Sequence, residues 1–174
     1  MSALAVLLAF LFAGQAPPAS PARVTRAALA DLEKSFDGHI EQANTADPFD
    51  LLGTTRGVYL EGYGAVFSAE VNLIVSPNLS PFHQRFTKQE IARIHERKLQ
   101  RLPLLKQNMR DMLVTSAVKL ENLPPNEQVV VAVSLFHYSW EDNSGIPGQI
   151  VMQAERRQLL STATRETAVH TQEF

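Results

Sequence analysis

Five histidines, eighteen acidic side chains and no cysteine are the raw material for chemistry in this 174-residue chain. Without thiols there can be no cysteine-based zinc site, thiol nucleophile, iron–sulfur cluster or disulfide framework. A zinc hydrolase of the H-E-x-x-H type puts two histidines on one helical face with a glutamate between them. His95-Glu96 begins that pattern, but Leu99 stands where the second ligand belongs. His39-Ile40-Glu41 supplies the first half of a deaminase signature whose second half needs the missing cysteines.

Ser116-Ala117-Val118-Lys119 sets a lysine one turn from a serine, the spacing that activates a serine nucleophile. Its companion S-x-N and K-T-G elements are absent, and Ser116 falls on an apolar helical stripe, so it reads as core. Asp47 and Asp50, three apart around Pro48, read as the N-cap and N3 acid of a helical turn closed by Gly53. Glu141-Asp142-Asn143-Ser144-Gly145 offers oxygen ligands without the alternation and distal glutamate of a calcium loop, and reads as a turn. The sequence therefore nominates no catalytic residue, no metal ligand and no cofactor.

One charge pattern stands out. Residues 83–110 carry eight basic side chains against Glu90 and Glu96, although the whole chain has a net charge of −2. Arg93, Arg97 and Arg101 recur every fourth residue, opposite Ile91, Ile94 and Leu102, and are expected to face solvent. They form a candidate site for an anionic surface or an envelope protein. Lys98 and His95 point instead into the apolar arc. Specific nucleic-acid binding is not expected of a slightly acidic, exported chain. Tyr59, Tyr63, Tyr138 and Trp140, at strand ends and turns, form a candidate aromatic contact surface. A hydrolase reading would gather Glu61, Glu70 and His137 from a polar sheet face.

The elements that must position these groups can be read from periodicity. Residues 1–22 carry no charged side chain, and Ala3–Ala13 is an unbroken apolar run. Its length suits an export signal, which needs about 7–15 apolar residues, better than a spanning helix, which needs about 20. Cleavage after Ala22 avoids the proline that would follow a cut after Ala16. Retained, the segment would anchor the protein in the membrane, its one expected route there. The product would be periplasmic or extracellular.

Leu29, Leu32, Phe36 and Ile40 define an amphipathic helix over about 25–44, with Glu33 and Asp37 on its acidic outer side. Residues 56–75 alternate as a hairpin about Gly62-Tyr63-Gly64. Its favoured register sets Val58 opposite Phe67, and an alternative sets it opposite Ala69; both turn Val58 and Leu60 toward the core. Thr87 and Glu90 form a capping box, with Phe86 and Ile91 as its hydrophobic staple. Pro103 should divide the following helix in two, near Leu102 and Leu104. Residues 128–140 read as a central strand and 149–160 as its return, with Ile150, Met152 and Ala154 inward.

The expectation is an α+β domain over 23–160, after the 1–22 signal and before a flexible polar tail at 161–174. Its mostly antiparallel sheet of two β-hairpins would pack on amphipathic helices in the order α-ββ-αα-ββ, as a two-layer sandwich. The expected function is that of an exported binding or accessory domain. A small hydrolase and an oligomerising envelope protein are the alternatives.

Overall fold

The Thr25 hydroxyl accepts a hydrogen bond from Ala28 N at 3.2 Å and opens helix α1 (Arg26–Gln42). Leu29, Leu32, Phe36 and Ile40 are all buried along it, as their spacing predicts. The computed structural model describes residues 24–43, 47–75 and 86–174. The expected export signal at 1–22 and the His83 and Arg85 positions lie outside the described residues.

The chain is α+β, with several helices and one mixed sheet of six strands. The strands are β1 (Asp50–Leu51), β2 (Arg56–Leu60), β3 (Gly64–Asn72), β4 (Gln128–Leu135), β5 (Gln149–Glu155) and β6 (His170–Glu173). They run in the order β1-β3-β4-β5-β6, and β2 shares with β1 the same edge of β3. All pairings are antiparallel except β3 with β4, which align in parallel from Gly64–Gln128 to Val71–Leu135. Among the described residues, the crossover between them contains one helix, α2 (Lys88–Lys119).

Pro103 does not divide α2. It lies on the exposed side, so water can take the Leu99 carbonyl that loses its partner. Leu102, Leu105, Met109, Met112 and Leu113 are buried on either side of it and hold the segment to the core. The capping box forms as expected, with Glu90 N donating to Thr87 Oγ1 and Thr87 N donating to Glu90 Oε2.

The first hairpin adopts neither anticipated register. Val58 pairs with Val66 and Leu60 with Gly64 across a three-residue loop, so both face away from the core. Gly57 and Tyr59 face inward instead. Two contacts select this slip. A side chain at Gly57 would come within 2.7 Å of the Phe67 ring, so only glycine lets Phe67 lie over that strand. The Glu127 carboxylate, buried before β4, accepts from Gly62 N at 3.1 Å and Tyr59 Oη at 3.3 Å, drawing the loop inward.

Inward residues of the sheet, among them Phe67, Val71, Val129, Val131, Ile150 and Met152, join α1 and α2 in one buried cluster. Phe36 and Phe67 meet edge to face at its centre, with ring centroids 4.9 Å apart. The return strand ends at Glu155 rather than Leu160. There the chain turns into α3 (Arg156–Leu160), held by Arg156, whose guanidinium donates to the Ala117 and Leu123 carbonyls. Residues 161–174, expected as a polar tail, contain α4 (Arg165–Ala168) and the pairing strand β6. A period-free sequence can still form an edge strand when the backbone of β5 is there to template it.

Candidate functional site

At the carboxyl ends of β3 and β4, the third and fourth turns of α2 carry Arg97, Lys98 and Arg101. Lys98 points inward as its place on the apolar arc requires, and its charge is neutralised there. Its Nζ donates to Glu141 Oε2 at 2.5 Å, with the two side chains 3% and 1% exposed. Glu141 Oε2 also accepts from Tyr138 N at 3.2 Å, while Oε1 has no partner. A cavity of about 60 Å³ lies beside this pair, lined by Lys98, Phe136, His137, Asn143 and Ile146 among others. Buried Asn143 Oδ1 is also unpartnered. The cavity has room for a few waters, which would satisfy such acceptors.

The arginine stripe is not a free row of charges. Arg93 is exposed, but Arg97 donates to Asp47 at 2.6 and 3.1 Å. Arg101, expected in solvent, is buried with its Nη1 2.5 Å from Asp47 Oδ2 and its guanidinium 4.4 Å over the Phe49 ring. The reason lies in Asp47-Pro48-Phe49-Asp50, which does not form the anticipated helical turn. It leads as irregular chain into β1, and Asp47 serves as acceptor for two guanidinium groups. Burial opposes the Asp47 charge, but the Arg97 hydrogen bond and the nearby Arg101 and Arg97 charges prevail and hold its pKa below the usual value.

The four candidate aromatics divide between the two ends of the sheet. Tyr138 and Trp140 stack 5.6 Å apart, Phe86 stacks on Trp140 at 4.1 Å, and Phe136 meets Tyr138 edge on. This ladder ties the start of α2 to the segment after β4. Tyr59 and Tyr63 sit at the other end, in the β2–β3 hairpin. Tyr59 is half-buried against the core, whereas Tyr63 is exposed and its hydroxyl reaches Gln153 on β5 across a long 3.5 Å contact.

Glu61, Glu70 and His137 do not converge. Glu61 precedes β3 and Glu70 lies near its far end, roughly 20 Å along the strand. Among the described residues, no group of three histidine or acidic side chains is placed to hold a metal. Ser116 is buried and donates to the Met112 carbonyl at 2.8 Å. Asp142 accepts from Ser144 Oγ and N, which shapes the loop before Gly145.

What the sequence did not reveal is the sheet surface turned away from the buried cluster. Val58, Val66 and Val130 form one row across it, and Ser68, Ala132 and Val151 form the next. Leu60 and Tyr63 flank these rows, and Val58 and Leu60 are each 48% exposed. Val130, in the middle of the first row, is only 5% exposed. Gln128, Gln149, Gln153 and Ser134 lie among them, and the charged residues Arg56, Glu70 and Glu155 share the same face. The one available signal was Gly57, whose missing side chain marks the inward parity of β2. Comparison with known proteins identifies no relative: no family model, no curated protein and no solved structure matches this chain.

Proposed function

We propose that this chain is an exported binding domain whose contact surface is the outer face of its sheet. In this reading the molecule is a two-layer sandwich, with α1 and α2 over one face and the other open to a partner. The observation that carries it is the half exposure of Val58 and Leu60 beside Val66 and Val151, on a face to which the buried cluster contributes nothing. Apolar side chains grouped in this way on a surface mark interaction sites more often than scattered ones do. Export is supported by the length and flanks of the apolar run at Ala3–Ala13.

Two measurements test the proposal. Residues 1–30 fused to a leaderless reporter should carry it across the inner membrane of a bacterial host, and retention in the cytosol would remove the export half. A photo-crosslinking amino acid placed at Val58 or Leu60 in the full-length protein should give discrete adducts in cells. The same probe at Val118, exposed on α2, should give none. Absence of adducts from both face positions would remove the binding half.

A further inference from the structure

We infer that the partner of the outer face is a second copy of this chain, an inference that rests on the binding reading above. A two-fold interface brings each surface against its own image, so it must be complementary to itself. A face rich in one charge cannot meet that condition, because like charges would be driven together. This face can. Its rows are Val58–Val66–Val130–Gln153 and Arg56–Ser68–Ala132–Val151, apolar or neutral except at Arg56 on the edge strand. A glutamine amide or serine hydroxyl both donates and accepts, so each can pair with the same group from the other copy. Arg56 and Glu70 have opposite signs and can pair across the axis.

Size sets the expected strength. At strand spacings of about 4.8 Å and a rise of about 3.3 Å per residue, the patch across β2 to β5 measures roughly 15 by 20 Å in plan. Two such patches amount to about 600 Å² in plan and, with side-chain relief, to no more than about 1,000 Å², below the standard size of a stable interface. The dimer should therefore be weak and reversible, with a dissociation constant no tighter than micromolar.

Sedimentation velocity on the purified full-length protein should show a concentration-dependent shift from monomer to dimer. Val58→Asp and Leu60→Asp should weaken it about tenfold or more, because each places an unpaired charge within the interface, where both side chains are half-exposed in the monomer. Val118→Asp should leave it unchanged, and circular dichroism would establish that the variants are folded. The absence of native cysteine allows a second readout. A spin label on Ser68→Cys should report a shorter intermolecular distance than one on Val118→Cys. Dimerisation insensitive to Val58→Asp and Leu60→Asp would overturn the inference. So would a protein monomeric well above micromolar concentration whose Val58 adducts contain a different protein, although the binding reading would survive. A monomer giving no adducts would overturn both.

Discussion

Lys98 and Glu141 form an ion pair withdrawn from water, Nζ to Oε2 at 2.5 Å, between the middle of α2 and the segment after β4. Removing one partner leaves a buried charge without compensation. Glu141→Gln or Lys98→Met should each lower unfolding free energy by about 3–5 kcal/mol, measured by urea denaturation. The combined Lys98→Met and Glu141→Leu replacement should recover most of that loss. A double variant as unstable as the sum of the singles would show that the pair is not the unit that matters.

Asp47 is the shared acceptor for Arg97 and Arg101, so Asp47→Asn should act at two levels. Stability should fall by about 2 kcal/mol, less than for a sealed pair because Asp47 retains some solvent contact. Arg97, 52% exposed, would also be released toward solvent. Salt-sensitive retention on a heparin column should rise, and retention equal to the parent would show that the exposed arginine was already available.

Glu33 accepts from both terminal nitrogens of Arg26 and from Gly57 N at 2.7 Å, tying α1 to β2. It was expected on the outer side of that helix. The Arg26 hydrogen bond is the main cause of its lowered pKa, and burial opposes it. Glu33 and Asp47 both have folded pKa values below their unfolded ones. Their stabilisation is thus present above the ordinary carboxylate range and lost as pH falls through the depressed values. The urea midpoint should decline on acidification below that range, and Glu33→Gln should flatten the decline. An unchanged pH profile in the variant would show that Glu33 does not contribute.

Three glycines should respond to alanine in a fixed order. At Gly64, φ is +145° and a Cβ would lie 1.9 Å from the Gln128 carbonyl oxygen, so Gly64→Ala should lose about 4 kcal/mol or fail to fold. At Gly57 the obstacle is the Phe67 side chain, which can shift, and about 1–3 kcal/mol is expected. Gly62 has open space and only its φ of +80° to strain, for about 1 kcal/mol. Thermal denaturation of the three variants gives the ranking, and a Gly62 effect exceeding that of Gly64 would contradict it.

Local signals were legible in the sequence. The α1 stripe, the Thr87–Glu90 box, the inward set Ile150, Met152 and Ala154, and the core position of Ser116 all follow from spacing alone. What was not legible depends on groups distant in the chain. The sequence neighbours of Asp47 allow a helix cap, and nothing local announces two arginines about fifty residues away. The hairpin register is not legible because alternation fixes the faces only relative to each other, and the choice between them is made by Glu127 and Phe67. Lys98 is legibly inward from its place on the apolar arc, but snorkelling of its ammonium to water is what that place suggests, and nothing in the spacing identifies Glu141 as its buried partner.

The parallel pairing of β3 with β4 bears on the life of the nascent chain. Gly64 cannot meet Gln128 until the whole of α2 has been made, so the middle of the sheet waits for late-synthesised residues. Non-local pairing of this kind slows folding, because the intervening loop must close before any contact rewards it. The β2–β3 hairpin, whose partners are near neighbours in the chain, can pair early, and the middle of the sheet closes last.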